Sequence, residues 1–341
     1  MKLFVPKRAF FEPAALEYPL GKQLYEKFQE LNVPIQFTGS HNRVTGLPGK
    51  TAQESYREAK RTVVVGVRKS TDFASCKPSA HYQLPLNTSC PSMCEYCYLA
   101  STLGKKPYIR VYVNLDDVIA QAKVYIQQRT PEITWFEGAA TSDPIPTEYL
   151  TGLLFKTIEF FGNQQLGRFR FVTKHDQIDT LLSARHNGHT RFRFSLNAAN
   201  IIDKYEHATP SMAERVAAAA KVAGAGYPLG FIIAPIFYFP GWQEQYAELI
   251  AALAEQLPAA AGEDLTFELI SHRFTKRAKR NIQDLFPATT LPLEESERKY
   301  RYGQFGYGKY LYQPEVLIEI KEYLSARLYS AFPQAKIEYF V

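Results

Sequence analysis

Three cysteines stand close together in the stretch Ser89-Cys90-Pro91-Ser92-Met93-Cys94-Glu95-Tyr96-Cys97-Tyr98, with the spacing Cys-x3-Cys-x2-Cys. Thiolates this close can converge on one soft metal centre, but four-thiolate zinc and iron–sulfur sites normally take a fourth protein ligand. The remaining cysteine, Cys76, lies well upstream and has no Cys-x2-Cys partner. The pattern therefore favours a four-iron cluster held by three cysteines, with its fourth iron open to a small molecule.

Two simpler interpretations of the same cysteines remain open at this point. They could form a structural zinc knuckle completed by His81 or Cys76. They could also be small buried hydrophobic side chains with no ligand, since cysteine is among the most buried residue types.

The whole chain has the composition of a globular protein large enough for one α/β barrel with additions. It has 341 residues, of which 46% are hydrophobic, and no apolar run of about 18 residues that would predict a membrane span. The N-terminus lacks the apolar segment of a signal peptide, so a reducing cytoplasm is expected. A net charge of +6 and 14% aromatic residues permit a nucleic-acid partner without requiring one.

Hydrophobic patterns predict strands that alternate with helices after the cysteines. The predicted strands are 108–113, 132–136, 169–174, 191–197, 229–236 and 265–270, and the helices between them are 116–129, 147–161, 177–182, 211–225 and 243–256. Such alternation favours a parallel sheet with crossover helices. Counted from the strand at Tyr108, it predicts about six strand–helix units of a partial barrel.

The two ends of the chain differ from this pattern. Residues 1–50 are predicted to be irregular apart from a helix at 21–31, and residues 69–83 are predicted to be a polar loop. Residues 299–310 alternate aromatic, basic and glycine residues, which predicts a β-hairpin. We therefore expect an N-terminal elaboration (1–75), a catalytic barrel (76–275) and a C-terminal elaboration (276–341), packed as one globular unit.

Polar side chains follow three of the predicted strands. Ser142 comes after one strand, Lys174 after the next, and Ser195 and Asn197 after a third. Reactive groups in such barrels lie at the carboxyl ends of the strands. These residues are therefore candidates to bind a ligand, although they could equally be helix caps or solvated strand ends.

The cysteine spacing, followed by an aromatic residue, resembles the radical S-adenosylmethionine (SAM) superfamily. Together with Phe136-Glu137-Gly138-Ala139, Val172-Thr173-Lys174, Phe194-Ser195-Leu196-Asn197 and the Tyr/Arg/Gly-rich tail, it resembles spore photoproduct lyase from about residue 60 onward. The resemblance implies an α/β fold, a partial (β/α)6 TIM-like barrel with N- and C-terminal additions that include a hairpin. It also implies a DNA repair lyase that uses a 5′-deoxyadenosyl radical to split the methylene-bridged thymine dimer 5-thyminyl-5,6-dihydrothymine into two thymines.

The same resemblance implies the cofactors and their residues. The 4Fe–4S cluster is expected on Cys90, Cys94 and Cys97. SAM is expected to contact Tyr98, Ala139, Ser142, Lys174, Ser195 and Asn197. Tyr96 and Tyr98 are expected to return a hydrogen atom that regenerates SAM, although both could merely pack around the cluster.

One residue departs from the family pattern. Ala140 stands where these lyases carry the cysteine that donates a hydrogen atom to the product radical. Turnover is therefore expected to be impaired, and an engineered substitution is favoured over a divergent family member. Cys76 is the alternative donor that the chain offers.

The resemblance also implies partners. UV-damaged DNA with a flipped lesion is expected to contact His272, Arg273, Arg301, Tyr302 and Tyr307. The basic run Lys276-Arg277-Ala278-Lys279-Arg280 could pair with phosphates or form a solvated helix face. An external electron donor of the flavodoxin or ferredoxin type is expected, and no membrane. The rival functions are a radical SAM enzyme for another nucleic-acid base and a non-catalytic zinc-bearing nucleic-acid-binding module.

Overall fold

The fold was analysed in a computed structural model that describes residues 3–70, 72–104, 106–302 and 308–341. Strands and helices alternate along most of these ranges, as the α/β prediction requires. None of the helices described is both long and apolar enough to cross a membrane.

The chain folds into two compact units. The first consists of Met1–Ser92 and Leu103–Arg191, and the second of Met93–Thr102 and Phe192–Val341. The three segments expected from the sequence do not follow these units, and that division stays a prediction.

The strands lie in both units and are mostly short. In chain order they are β1 (Arg8–Phe11), β2 (Ile35–Phe37), β3 (Thr62–Gly66), β4 (Ser75–Cys76), β5 (Ala80–Gln83), β6 (Asn87–Thr88), β7 (Met93–Cys94), β8 (Ile109–Tyr112), β9 (Thr134–Glu137), β10 (Gly167–Thr173), β11 (Thr190–Leu196), β12 (Glu206–His207), β13 (Leu229–Ile236), β14 (Thr266–Ser271), β15 (Lys299–Tyr302), β16 (Gly308–Leu311) and β17 (Lys336–Phe340).

The helices connect these strands, and two of them begin with a capping box. They are α1 (Pro19–Glu30), α2 (Ala52–Ala59), α3 (Leu99–Thr102), α4 (Leu115–Gln128), α5 (Ile145–Thr151), α6 (Leu153–Gly162), α7 (Ala199–Tyr205), α8 (Met212–Gly224), α9 (Trp242–Gln256), α10 (Lys276–Leu285) and α11 (Pro314–Ala331). Thr51 and Ser211 begin α2 and α8 with capping boxes, in which each hydroxyl accepts the backbone N–H three residues on.

The first unit contains a five-stranded sheet that the sequence analysis missed in part. Its order is β2-β1-β3-β8-β6, and all neighbours are parallel except β6 and β8. The predictions that residues 1–50 lack strands and that the strand at Tyr108 begins the barrel were wrong. β1 and β2 have only four and three residues, and β8 pairs with the distant β3, so local patterns did not reveal either pairing.

A second group of strands in the first unit has the order β10-β9-β5-β4. β9 is parallel to both of its neighbours, whereas β4 and β5 form an antiparallel pair. The polar loop predicted at 69–83 was therefore wrong. β9 and β10 end side by side, which brings the loop that begins at Gly138 close to Lys174.

The second unit builds its sheet from β17-β14-β13-β11, and all three pairings are parallel. The residues of β11 are buried throughout, including Arg193, whose guanidinium forms a 2.5 Å ion pair with Glu268 on β14. Both side chains are 1% exposed, so this pair crosses the sheet interior. The predicted hairpin is confirmed, because β15 and β16 pair antiparallel.

Two helix predictions needed correction. The single helix predicted over 147–161 is broken into α5 and α6 at Gly152, whose φ of 59° lies in the left-handed region. The short helix predicted at 177–182 is only a 3₁₀ turn over Asp179–Leu181.

Candidate active site

Ser89 positions the first cysteine within the first unit. Its φ of 65° is left-handed, and its N–H donates to the Thr141 carbonyl at 2.7 Å. Its hydroxyl donates to the Pro107 carbonyl, also at 2.7 Å. Cys90 follows directly and is 8% exposed, so the start of the cysteine loop is held against the end of β9 by a strained, pinned residue.

The next residues of this loop are also held in place within the first unit. The Ser92 hydroxyl and His175 Nε2 lie 2.8 Å apart, and both residues are buried. His175 follows β10 directly, so the ends of two strands support the loop.

The second and third cysteines belong to the second unit. Cys94 is buried on β7 and lies opposite Glu206 on β12, while Cys97 is partly exposed. Glu95 anchors this segment within the second unit. Its carboxylate accepts a hydrogen bond from the Thr289 hydroxyl and lies 2.8 Å from His207 Nε2. Among the residues described, no three Cys, His, Asp or Glu side chains are gathered as tightly as a single metal ion requires.

Tyr96 is connected to a buried ion pair. Its phenol donates a hydrogen bond to Glu206, and the other oxygen of Glu206 lies 2.6 Å from the Arg215 guanidinium. Burial, and then the Glu206 and Cys94 charges, raise the pKa of Tyr96 well above its usual value. The phenol is therefore protonated at neutral pH. Tyr98, in contrast, is 58% exposed, which suits a group that meets a ligand from outside.

The loop after β9 passes unusually close to the sheet. A Cβ at Gly138 would meet the Phe169 ring at 2.5 Å, so only glycine allows this approach. The following Ala139 is buried and donates its N–H to Glu137 at 3.0 Å. Ser142 is also buried, and its hydroxyl has no hydrogen-bond partner among the described residues. A buried hydroxyl of this kind needs a hydrogen-bond partner from water or from a ligand.

A cavity of about 210 Å³ opens beside this loop in the first unit. Its walls include Arg68, Asn87, Tyr112, Ala140 and Thr141. Within the described chain, the buried Asn87 Oδ1 and Arg68 Nε lack hydrogen-bond partners. The cavity is smaller than the roughly 300–1,000 Å³ of drug-sized pockets, which suits one planar ring. Spacing gave no signal for these wall residues, because they come from distant segments.

Asp143 links the loop after β9 to the end of β10. Its carboxylate accepts the Thr173 hydroxyl at 2.8 and 3.0 Å and the Lys174 N–H at 2.8 Å. Lys174 is partly exposed, and the bond to Asp143 holds its backbone at the strand end. Asp143 was not among the predicted site residues.

The remaining predicted SAM contacts lie in the second unit. Ser195 is 8% exposed, and its carbonyl accepts from Arg215 at 3.1 Å. Asn197 is fully buried, with its amide donating to the Pro235 carbonyl and its oxygen accepting from Tyr246, both at 2.8 Å. Asn197 thus supports the end of β11, and its contact with SAM stays a prediction.

His272 lies in the interior rather than on a surface that DNA could reach. It is 2% exposed and stacks on Phe237 with the ring centroids 4.5 Å apart. Burial and the Arg298 cation lower its pKa to about 3, so the imidazole is neutral. The structure thus gives His272 a packing role. The sequence suggested a surface contact because a polar residue type does not reveal whether the side chain is buried.

The hairpin presents the other predicted DNA contacts. Arg301 is exposed and lies opposite Lys309, and Tyr302 is 70% exposed. Burial and the neighbouring Arg273 lower the pKa of Lys309, so three cations share one region. Lys309 was missed by the sequence analysis, although a lysine in a basic hairpin was a usable signal. Tyr307 lies outside the described residues.

The basic run predicted as a phosphate contact lies on α10. Three of its cations, Lys276, Arg277 and Arg280, are exposed, while Lys279 forms a 3.4 Å ion pair with Glu295. A solvated helix face and a phosphate-binding face would both look like this, so the role of α10 stays a prediction.

Comparison with known proteins gives one consistent result. A family model described as spore photoproduct lyase matches residues 4–341. A spore photoproduct lyase of Geobacillus sp. is 54% identical over 340 residues and covers 100% of both chains. One from Bacillus subtilis (strain 168) is 50% identical over 337 residues, which are 99% of this chain and 98% of the relative.

Solved structures agree over the whole chain. Spore photoproduct lyase complexed with dinucleoside spore photoproduct is 54% identical, with a TM-score of 0.97 and 100% coverage of both chains. A double mutant with bound AdoMet and dinucleoside spore photoproduct is 55% identical, also with a TM-score of 0.97 and full coverage. Its substitutions change residue 140 from cysteine to alanine and residue 76 from serine to cysteine. This likeness confirms the predicted α/β partial-barrel fold class.

Proposed function

The chain belongs to the spore photoproduct lyase family, and we propose from that premise how its own residues carry out the repair. It is a radical SAM lyase that splits spore photoproduct into two thymines, and its cofactors are a 4Fe–4S cluster and SAM. This membership argues against both rival functions, a radical SAM enzyme for another nucleic-acid base and a non-catalytic zinc-bearing module. When bound, the cofactors supply a carbon-centred radical that removes a hydrogen atom from the lesion.

The cysteines and strand ends fit the two cofactors. Cys90, Cys94 and Cys97 would hold the cluster, since soft thiolates are the usual iron–sulfur ligands and two of these residues are buried from water. The buried Ser142 hydroxyl, which has no partner among the described residues, supports a ligand at the end of β9 and is the observation that carries the assignment. SAM would also contact Tyr98, Ala139, Lys174, Ser195 and Asn197.

The cavity beside Ala140 would receive one thymine ring of the lesion. Asn87 and Arg68 line it, and an amide and a guanidinium group can hydrogen-bond to the polar edge of a thymine. Ala140 lies on that wall, where a cysteine side chain would face the substrate. With alanine there, the hydrogen atom that completes the second thymine must come from another residue.

Cys76 is our candidate for that donor. It lies on β4 in the same unit as Ala140, two residues beyond Ala74, which lines the cavity. The alanine and cysteine of this chain are those that the solved double mutant carries at residues 140 and 76. The Cys76 S–H would give its hydrogen atom to the thymine radical. This would leave a radical on the Cys76 sulfur, and a hydrogen atom from the phenol of Tyr96 or Tyr98 would restore the thiol and leave the radical on the tyrosine. Turnover thus depends on Cys76 rather than being impaired by Ala140.

The partners follow from the same reaction. The lesion would be flipped from UV-damaged DNA, with phosphates near Arg273, Arg301 and Lys309 and with Tyr302 filling the gap in the stack. A flavodoxin or ferredoxin type protein would supply the electron. Cytoplasmic DNA would be the site of action, in the spore or the germinating cell.

The experiment compares four chains in an anaerobic assay with SAM, a reductant and a spore-photoproduct dinucleotide. They are the unchanged chain, Cys76→Ala, Ala140→Cys and the Cys76→Ala/Ala140→Cys double variant. We expect clean thymine release by the unchanged chain. Cys76→Ala should lose at least about tenfold in rate, which is a barrier increase of roughly 1.4 kcal/mol, and divert the lesion to side products.

The double variant should recover thymine release, because it restores a thiol on the cavity wall. Full activity of Cys76→Ala would contradict the role of Cys76. If no chain consumed the lesion while all of them cleaved SAM, the substrate would be different and only the radical SAM chemistry would stand.

A further inference from the structure

We propose that Lys60 is a positioning residue for the cluster. Its ammonium group holds the cysteine loop at Cys90 and places a buried positive charge beside that loop. This inference rests on the proposed function, because it concerns the cluster that Cys90 helps to hold. It adds a residue that lies 30 positions from Cys90 in the chain and was not among the predicted site residues.

Lys60 reaches the cysteine loop directly. It ends α2, is 0% exposed, and its ammonium group donates to the Cys90 carbonyl at 3.0 Å. The Ser89 hydroxyl lies 3.5 Å from the same nitrogen. The Tyr56 ring is on another side, with its centroid 5.5 Å away. A lysine at a helix end is usually solvated, so this burial is the unusual observation.

The residue that Lys60 approaches is strained. Ser89 has a φ of 65°, which side chains other than glycine rarely adopt. Its carbonyl accepts the Asp143 N–H at 3.4 Å, and its own N–H and hydroxyl are bound to Thr141 and Pro107. The polar groups of Ser89 are therefore bonded on one side of the Ser89–Cys90 peptide, and Lys60 binds the Cys90 carbonyl on the other side. Together they fix where the Cys90 side chain begins.

Among the residues that the structure describes, the charge of Lys60 has no protein counter-ion. Within the described ranges, no carboxylate lies at ion-pair distance from its ammonium group, whose partners are neutral oxygens. Burying a cation in this way is unfavourable unless an anion offsets it. Cys90 is proposed to ligate as a thiolate, so the anionic cluster supplies the compensating charge. A fixed cation stabilises the more negative, reduced form, and nearby charge is one of the factors that set cluster potentials.

Three variants test this inference on the anaerobically reconstituted protein: Lys60→Gln, Lys60→Met and the control Lys22→Met, which removes an exposed lysine of α1. Redox titration followed by electron paramagnetic resonance gives the midpoint potential, and iron analysis gives the cluster content. Lys60→Gln keeps a donor but loses the charge. We expect its equilibrium constant for one-electron reduction to fall about tenfold, a midpoint about 59 mV lower.

Lys60→Met loses the donor as well, so we expect lower iron content in addition to the lower midpoint, and Lys22→Met should match the unchanged chain. Thermal unfolding of the cluster-free proteins separates a purely structural role. If both Lys60 variants keep the normal midpoint and iron content, and only this unfolding changes, the proposal is overturned. If the unchanged chain fails to split the lesion although the midpoint shift is present, the proposed function is wrong and this inference stands.

Discussion

The Tyr96 phenol is bound to a carboxylate that already has an arginine partner. Glu206 and Arg215 are both 0% exposed at their side chains, and Arg215 also donates to the Pro210 carbonyl and the Thr209 hydroxyl. Glu206 therefore holds one end of a chain of charge-assisted hydrogen bonds inside the second unit. This arrangement fixes the orientation of the Tyr96 phenol.

The first prediction concerns this ion pair. Glu206→Gln should lower the free energy of unfolding by about 3–5 kcal/mol, because it leaves Arg215 as a buried cation without its counter-ion. Urea unfolding measures the loss. As a control, Tyr96→Phe removes one hydrogen bond to a charged group and should cost about 1.5–3 kcal/mol. Equal losses for the two variants would show that the ion pair is not what stabilises this region.

At the scale of residues, spacing singled out the cysteine loop as a candidate metal site but gave no information about burial. The three cysteines needed only their separations in the chain to be recognised. His272 and Lys60, in contrast, have the residue types of surface groups and are 2% and 0% exposed. Burial depends on contacts between distant segments, which no local pattern contains.

Among the elements, the break between α5 and α6 is maintained by a buried acid. Glu148 is 4% exposed and accepts the N–H groups of Leu154 and Phe155 at 2.8 and 2.9 Å, so its carboxyl group caps the start of α6. Burial outweighs these bonds and raises the pKa of Glu148 to about 7. The cap is thus made by a group that titrates near neutral pH.

The second prediction follows from this pKa. The pKa of about 7 in the folded protein lies above the ordinary value of 4.5, so the stabilisation is complete below pH 4.5 and is lost as the pH rises to about 7. The loss should reach about 3 kcal/mol. The difference in unfolding free energy between the unchanged chain and Glu148→Gln should therefore fall across this window. The exposed Glu26→Gln serves as the control, and a flat difference for Glu148→Gln would refute the assignment.

Element prediction succeeded where the signal was local. The helix at 211–225 was predicted from its own hydrophobic pattern, and Ser211 and Glu214 form a capping box at its start. The break at Gly152 was missed because it interrupts an otherwise continuous apolar helical pattern. β1 and β2 were missed because they are short and are stabilised by pairing with each other and with β3.

Over the whole molecule, the net charge of +6 is modest, so its placement matters more than its size. The hairpin combines Arg301 and Lys309 with the exposed Tyr302, and Arg273 lies close to Lys309. Cations beside an exposed aromatic ring are suited to phosphates on one side and an opened base stack on the other.

The third prediction tests this surface on lesion-bearing duplex DNA. Arg301→Ala should weaken binding and reduce the slope of log affinity against log salt by about 1, because one phosphate contact is lost. Fluorescence anisotropy at several salt concentrations gives both values. Lys22→Ala on α1 should leave them unchanged. An unaltered slope for Arg301→Ala would place the DNA elsewhere on the protein.

The left-handed backbone of Ser89 also restricts which sequences can form this protein. Its φ of 65° is tolerated by glycine, asparagine and aspartate and disfavours β-branched or bulky residues. If codon 89 were randomised and the library sorted for folded protein, we expect very few amino-acid types at residue 89 among the folded variants. Exposed positions of α1 should accept many more types. Neutral drift at this codon would be confined in the same way, so Ser89 would constrain the lineage although its side chain takes no part in the chemistry.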